Sequence, residues 1–240
     1  NKNAKKRLNV PEWKEATKLV GKYWATPKEF PQTNVILPNG LTEETIPDNF
    51  WWIIGRWLGD GWTHHTGPTG KRGGGSSKVT ICCGSHETEE LKIELDKTLW
   101  KWNLNKNVSD NTDRFTVFDE ELRVWLRSQF GTRSFNKTIP TWMLGASRIV
   151  REDFLAGYLS ADGSTFLSKD NKTVRCFGTV SESLMVSLKM LVTSLGFSAT
   201  VQTWLPKKPH MIQGREVTKR LAYTVRWGEA KPNEPYCQAL

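Results

Sequence analysis

Two stretches of the chain carry the apolar spacing of an amphipathic helix and share one ending. In residues 48–60 (DNFWWIIGRWLGD) and 151–162 (REDFLAGYLSAD), apolar side chains recur three and four positions apart. Asp48 stands where its side chain can cap the first amides of the earlier helix. Each stretch ends on an aspartate that a glycine follows, and the two aspartates, Asp60 and Asp162, lie about 100 residues apart. The pattern predicts two related helices, each closed by a left-handed glycine cap after an acidic residue.

Further elements follow these two helices in a similar order. Helical spacing predicts a helix over 86–102, with Leu91, Leu95, Leu99 and Trp102 on one face, and others over 119–130, stopped by Gly131, and 182–195. Alternating and β-branched residues predict strands over 78–83, 114–118, 164–167, 172–180, 198–205 and 220–227. Residues 63–78 contain five glycines and are expected to form a loop.

This order of elements predicts an internal duplication. A helix, two strands, a second helix and two more strands occur twice, which indicates an α+β fold of two related halves. We expect an N-terminal arm over residues 1–45, broken by four prolines, a first half over 46–140 and a second half over 141–240. The second half has no recognisable counterpart of the helix at 119–130.

Composition narrows the class of protein. The chain has 240 residues, 38% of them hydrophobic, with 12 tryptophans and 10 phenylalanines, so it can build a substantial core. The formal net charge of +9 favours a polyanionic partner, and nucleic acid before a membrane. No apolar run is long enough to span a bilayer, and the basic start lacks the apolar stretch of a signal peptide. We therefore expect an intracellular protein that is neither secreted nor bound to a membrane.

The two terminal aspartates point to a metal site. A helix C-terminus disfavours a carboxylate by about 0.3–1 kcal/mol, which a bound cation would offset. Gly55 and Gly59 are four residues apart, as are Gly157 and Ala161, so each helix carries a stripe of small residues that permits close packing. If the helices pack in parallel, both carboxylates emerge at one end and, with carbonyl oxygens and water, suit Mg²⁺. Such a site suits hydrolysis of a phosphodiester. Two ordinary core helices with routine caps are the alternative.

The motifs resemble a known family. LAGYLSADG at 155–163 is similar to the signature of the LAGLIDADG homing endonucleases, and IIGRWLGDG at 53–61 is a looser match. Two motifs in one chain resemble the monomeric members, especially the dodecapeptide type carried inside inteins, and the resemblance covers roughly residues 47–230. It implies two αββαββα halves with pseudo-twofold symmetry and a β saddle that binds double-stranded DNA. It also implies that Asp60 and Asp162 hold Mg²⁺ or Mn²⁺, helped by the carbonyls of Gly59 and Ala161, and that Ca²⁺ binds without supporting cleavage.

Lysines complete the catalytic centre that the resemblance implies. NKTIPTWML at 136–144 resembles the Lys-x-Ile-Pro stretch that precedes the second motif in intein-type members, which assigns a catalytic role to Lys137. A solvated linker lysine is the alternative. The second half departs from the pattern, because Lys231 and Lys219 are both candidates and neither lies in a recognisable motif. Residues 12–27 faintly resemble intein sequence, but no splicing residues flank the chain, so we expect no splicing.

Basic side chains are expected to contact the DNA. In strand 220–227, Leu221, Tyr223, Val225 and Trp227 form a face that can pack on helices, which leaves the opposite face for a ligand. The predicted DNA-binding residues are Lys71, Arg72, Lys78, Arg175, Lys207, Lys208, Arg215, Lys219, Arg220 and Arg226. For any one of them a solvated surface role is an equally good interpretation. The tryptophans are assigned mostly to the core.

These observations favour a sequence-specific endonuclease that makes a metal-dependent double-strand break. Its expected partner is double-stranded DNA, without an obligate protein partner, and its expected state is a monomer. The alternative is a non-cleaving nucleic-acid-binding module on the same fold, such as an RNA maturase or a DNA-binding regulator. A third hypothesis, a basic structural protein, predicts weak binding that falls steeply with salt.

Overall fold

A computed structural model describes residues 23–24, 30–38, 40–67, 76–107, 111–205, 210–212, 215–217, 220–228 and 238–239. A short strand and the first half comprise β1 Tyr23–Trp24, α1 Phe50–Asp60, β2 Gly61–Thr66, β3 Ser76–Gly84, α2 Thr88–Asp96, β4 Asn103–Asn107, β5 Thr112–Val117 and α3 Glu120–Phe130. The remainder comprises α4 Thr141–Leu144, α5 Arg148–Asp162, β6 Gly163–Leu167, β7 Thr173–Thr179, α6 Glu182–Ser194, β8 Ala199–Trp204, β9 His210–Ile212, β10 Arg215–Val217, β11 Ala222–Gly228 and β12 Gln238–Ala239.

The two halves have the same sheet topology. The first sheet runs β2-β3-β5-β4 and the second runs β6-β7-β11-β8, and all neighbouring strands are antiparallel. In each half, a helix leads directly into an edge strand, and a second helix follows the next strand. The α+β class and the duplication are therefore confirmed. Short two-stranded ladders join β1 to β12 and β9 to β10.

Several predicted boundaries in the first half are wrong. The predicted loop over 63–78 begins with β2, which pairs with β3 from Gly61 opposite Ile81 onward. The predicted helix over 86–102 ends as α2 at Asp96, and Leu99 is 57% exposed instead of packing on the helix face. The backbone then enters β4, which pairs with β5. Leucine spacing continues past Asp96, but pairing of β4 with the next strand in the chain decides the conformation there.

Helix ends also differ from the predictions in detail. Helix α1 starts at Phe50 with Asn49 at its N-cap, not Asp48, and the Asn49 side chain donates to the Glu94 carbonyl at 2.7 Å instead of capping α1. The predicted helix at 119–130 agrees with α3. There the Asp119 side chain accepts from the Leu122 amide, and the left-handed Gly131 (φ 76°) ends the helix.

The core is continuous across both halves. Helices α1 and α5 lie at its centre, and aromatic rings from α1, α3 and α5 contact one another there, with Phe130 stacked on Phe154 at 5.8 Å between centroids. Residues 30–38 pack on this core, since the Trp125 indole donates to the Ile36 carbonyl at 2.9 Å. Within the ranges given above, no helix is both long and apolar enough to cross a membrane.

Candidate active site

Helices α1 and α5 pack against each other through their small residues. A Cβ atom built on Gly157 would overlap the carbonyl group of Trp52, and one built on Gly55 would overlap the Phe154 carbonyl oxygen. At the C-terminal ends, a Cβ atom on Gly59 would collide with Ala161. These positions carry glycine or alanine because the other helix occupies the space that a larger side chain would need.

This packing brings the two terminal aspartates together. A Cβ atom built on Gly59, the residue before Asp60, would lie 3.5 Å from the Cγ atom of Asp162. Burial raises the pKa of both carboxyls, and the charge of Asp162 raises the pKa of Asp60 further. Two partly buried anions at helix C-termini repel each other and the helix dipoles, so the site has an electrostatic need for cations.

The glycines after the aspartates are not left-handed caps, which corrects the prediction. Gly61 and Gly163 are extended, at φ −106° and −92°, and each starts an edge strand. A Cβ atom on Gly61 would collide with Trp57, and one on Gly163 with Leu159. Glycine is required because the chain turns back against the last helical turn, and this turn joins each aspartate to a sheet.

Lys137 is buried at the end of α1. Its ammonium donates to the carbonyl oxygens of Leu58 at 2.5 Å, Gly59 at 3.0 Å and Gly61 at 3.0 Å, and the residue is 7% exposed. Desolvation lowers the pKa of Lys137 to about 8, although the two aspartates oppose the shift. Carbonyls left unpaired at a helix C-terminus favour a cation there, so Lys137 stabilises the end of α1 as well as adjoining both carboxylates.

The segment that carries Lys137 is held by the second half. The Ser181 hydroxyl, fully buried before α6, donates to the Lys137 carbonyl at 2.7 Å, and the Ile139 amide donates to the Ser187 hydroxyl at 3.2 Å. The Arg220 guanidinium lies 3.9 Å from the centroid of the Phe135 ring. The lysine that reaches the first-half helix is thus positioned by second-half residues.

Sequence reasoning missed a buried arginine beside Asp60. Arg56 is 3% exposed, and its Nη2 lies 3.5 Å from the Oδ2 atom of Asp60, one helical turn away. Its guanidinium also donates to the Glu87 carboxylate at 3.3 Å and to the Ser160 carbonyl on α5. The signal in the sequence is one cation inside an otherwise apolar helix.

A cleft of about 330 Å³ opens beside these groups, between the helix ends and the second sheet. Lys137, Tyr158 and Asp162 line one side, and Gly178 and Thr179 line the other. The Tyr158 hydroxyl faces the Asp162 carboxylate but has no partner in hydrogen-bond geometry within the described residues. Burial raises the pKa of this phenol well above its usual range.

The oxygen donors fit a divalent cation bound jointly with substrate. No group of three acidic, histidine or cysteine side chains suitable for a metal occurs in the described part of the chain. Two carboxylates suffice for Mg²⁺, which keeps several waters and uses phosphate oxygens as further ligands. The Gly59 carbonyl already accepts from Lys137, so its second lone pair would have to serve a metal.

The predicted DNA-binding residues are distributed unevenly over the sheets. Arg226 pairs in register with Cys176 and Thr200, on the face opposite the buried Tyr223, Val225 and Trp227, although Leu221 itself is exposed. Arg175 shares the register of Trp227 and therefore the helix-facing side.

Lys78 lies opposite His64, with its ammonium 5.3 Å from the Phe118 ring centroid. Arg220 is exposed before β11, and Arg215 begins β10. Lys71, Arg72, Lys207, Lys208, Lys219 and Lys231 lie outside the described residues.

Two tryptophans depart from the expected core location. Trp62, in β2, is 42% exposed and lies within 5.9 Å of the Arg114 guanidinium, and Trp204, in β8, is 62% exposed. Trp62 pairs with Thr80 and Trp204 with Ala222, on the faces turned away from the helices. Each outer sheet face therefore combines polar residues with an aromatic ring.

The chain is similar to several known proteins. A family model described as "Homing endonuclease" matches residues 138–234. An uncharacterized protein of Methanocaldococcus jannaschii is 28% identical over 65% of this chain and 18% of its own length. The ATP-dependent DNA helicase Hel308 of Thermococcus kodakarensis is 28% identical over 67% of this chain and 14% of its own. The chain thus spans less than a fifth of the length of these relatives.

Similar solved structures are named as homing endonucleases. Mesophilic variants of I-DmoI superpose over 75% of this chain and 88% of theirs, with a TM-score of 0.49 and 13% identity. The I-LtrWI LAGLIDADG homing endonuclease, bound to target DNA, covers 76% of this chain and 78% of its own, with a TM-score of 0.46 and 13% identity.

Proposed function

We propose that this chain is a site-specific, metal-dependent DNA endonuclease of the LAGLIDADG type. The observation that carries the proposal is the pairing of Asp60 and Asp162 at the packed C-terminal ends of α1 and α5, where burial raises the pKa of both. A site that contains two such carboxylates and a cationic lysine suits cleavage of a polyanion. The homing endonuclease match over 138–234 supports the same class.

The side chains divide the work of phosphodiester hydrolysis. Asp60 and Asp162 would hold Mg²⁺ or Mn²⁺, with the carbonyls of Gly59 and Ala161 as further oxygen donors. When bound, these ions would stabilise negative charge on the phosphate and lower the pKa of water. The Lys137 ammonium would stabilise charge developing on the scissile phosphate, provided that it remains protonated. Its pKa of about 8 keeps the cation available at neutral pH.

The outer faces of the two sheets would hold the duplex. Lys78 and Arg226 lie on or beside those faces, one in each half, and cationic side chains at such positions contact phosphates and base edges. Because each half contributes one aspartate, a single chain carries both halves of the site, and we propose that it acts as a monomer on double-stranded DNA inside the cell.

The lengths of the relatives support a proposed association with an intein. The matched proteins include a DNA helicase, a DNA polymerase of Thermococcus hydrothermalis and an iron-sulfur cluster assembly family protein of Mycobacterium bovis, and the chain spans 11–14% of each. Similarity to a small part of proteins with such different names is what a domain carried as an insert in unrelated hosts would produce. We propose that this chain is such a domain.

Cleavage of a randomised DNA library with Mg²⁺ tests the function and identifies the target. The wild type should enrich one cut sequence, and Asp60→Asn and Asp162→Asn should each abolish double-strand cleavage while retaining target binding. Asp153→Asn is the matched control, since Asp153 lies on α5 with a pKa raised by burial but near the opposite end of the helix. Ca²⁺ should support binding without cleavage. Full cleavage by both active-site variants would refute the proposal.

The non-cleaving alternative makes the opposite prediction for the wild type. A maturase or regulatory module would bind nucleic acid without producing nicks at any Mg²⁺ or Mn²⁺ concentration. In that case, charge reversal on the sheet faces would still weaken binding, and the aspartate variants would behave as the wild type does.

A further inference from the structure

The two halves place different residues at the equivalent position one helical turn before each aspartate. In α1 this residue is Arg56, four residues before Asp60, and in α5 it is Tyr158, four before Asp162. Both side chains are buried, at 3% and 0% exposure. The guanidinium forms an ion pair with its aspartate, whereas the phenol has no partner in hydrogen-bond geometry within the described residues.

Arg56 is fixed from three directions. Its Nη1 and Nη2 atoms lie 3.3 Å from the Glu87 carboxylate, which is itself anchored by the Gly84 amide at 3.0 Å. Nη1 also donates to the Ser160 carbonyl of the opposing helix, so the guanidinium bridges α1, α5 and the start of α2. A guanidinium held in this way has little freedom to follow movements of the Asp60 side chain. We therefore expect it to restrict the orientation of the Asp60 carboxylate.

The ion pair is made to one oxygen of Asp60. Nη2 of Arg56 lies 3.5 Å from Oδ2, so its positive charge acts on that side of the carboxylate. On α5 the equivalent neighbour of Asp162 is the neutral hydroxyl of Tyr158, so this carboxylate has no cation one helical turn before it. The two aspartates therefore differ in orientation control and in local charge, although the helices that carry them are equivalent.

We propose that Arg56 is a positioning residue for the first half of the active site, and that the two DNA strands are consequently cut with unequal dependence on it. This inference rests on the proposed nuclease function. Arg56 acts through Asp60 and does not itself contact the substrate. Its positive charge also opposes cation binding, so geometry for cleavage is gained at the expense of metal affinity.

Strand-specific cleavage and metal binding test the inference together. In Arg56→Met, one labelled strand of the target should be cut at least about tenfold more slowly and the other less than threefold, so nicked plasmid accumulates. Ca²⁺ affinity, measured by calorimetry without cleavage, should rise about fourfold, because a unit charge has been removed from the site. Arg56→Lys, which keeps the charge but not the fork, should restore wild-type Ca²⁺ affinity and only part of the strand rate.

Two further variants separate positioning from folding. Arg56→Met/Glu87→Gln removes Arg56 together with its partner Glu87, so Glu87 is not left as an unpaired acid and the net charge is unchanged. This variant should keep the strand bias while Ca²⁺ affinity stays within twofold of wild type. Arg123→Met removes another mostly buried arginine, paired with Glu120 on α3, and should change neither readout.

The possible failures are distinguishable. Equal slowing of both strands in Arg56→Met, or weaker Ca²⁺ binding together with a lower melting temperature, would overturn the positioning role and leave the nuclease proposal intact. A wild type that cuts no DNA with Mg²⁺ or Mn²⁺ would overturn the proposed function and this inference with it.

Discussion

Replacing Gly157 by alanine should separate the two central helices. A Cβ atom at this position would overlap the Trp52 carbonyl oxygen and lie 2.7 Å from its carbonyl carbon and 2.9 Å from its Cα atom. All three atoms belong to the backbone of α1, so no side chain can rotate away to accommodate the methyl group. Overpacking of a core typically costs 1–3 kcal/mol, and this case belongs at about 3 kcal/mol.

That cost has a measurable size in two assays. For a chain of this length, about 3 kcal/mol corresponds to a melting temperature lower by roughly 6–12 °C. Urea unfolding followed by tryptophan fluorescence should show a lower midpoint at an unchanged m-value. Where the variant remains folded, we expect cleavage to fall by about 100-fold, because a displacement of the carboxylates by about 1 Å is enough for that loss.

Gly67→Ala is the matched control for this substitution. No atom lies within 4 Å of a Cβ built on Gly67, and its φ is not in the left-handed region, so the same methyl group should leave stability unchanged or slightly raised. Surface substitutions usually change the free energy of unfolding by no more than about 0.5 kcal/mol. If the free energy of unfolding of Gly157→Ala differs from that of the wild type by no more than this, the helices are not in backbone contact. The close pairing of the aspartates is then wrong.

Three further predictions concern the charged groups. Asp162→Asn should stabilise the metal-free protein at pH 7 by about 0.5–2 kcal/mol, because burial raises the pKa of this carboxyl and an ionised group there is unfavourable. It should also abolish the rise in melting temperature that Ca²⁺ gives the wild type. A loss of stability would contradict this prediction. Lys137 has a folded-state pKa of about 8 against 10.5 in the unfolded chain, so the unfolded state binds more protons between these pH values. The unfolding free energy of the wild type relative to Lys137→Met, measured by urea titration, should therefore rise as pH increases from 8 to 10.5. A flat or falling difference would argue against burial of the cation. Arg226→Ala should weaken target binding and reduce the salt slope of log K by about 1, whereas Arg148→Ala, which removes an exposed cation paired with Glu152 at the far end of α5, should leave the slope unchanged in fluorescence anisotropy titrations.

The parts of the fold that the sequence predicts depend on local patterns. The sequence predicts helices α1 and α5 and the small residues between them, because spacing by four on one helix is a local property. The C-terminal end of α3 is predicted at the correct residue, Phe130, because the N-cap Asp119 and the C-cap Gly131 are recognisable from the sequence next to the helix. The same holds for the alternating strand β11, where Tyr223, Val225 and Trp227 are buried as expected.

The errors arise where pairing or packing decides the structure and the local pattern is weak. Strands β2 and β4 consist mostly of polar residues, and pairing with the next strand of the chain, β3 or β5, makes them strands. The predicted extension of α2 fails at Thr98, whose hydroxyl donates to the Leu95 carbonyl at 2.7 Å and accepts from the Trp102 indole at 3.0 Å. The contacts of Arg56 cannot be predicted from the sequence, because its partners, Glu87 and Ser160, are 31 and 104 residues away.

The anchoring of residues 131–140 bears on how such a molecule can be recombined. Sequence alone suggests a division after residue 140, but Lys137 and Ile139 are hydrogen-bonded to Ser181 and Ser187, and Phe135 adjoins Arg220. A chimera that exchanged everything up to residue 140 would therefore pair a foreign lysine segment with serines that did not evolve alongside it. Hybrid chains are better joined ahead of Gly131, so that the connecting peptide stays with the half whose residues bind it.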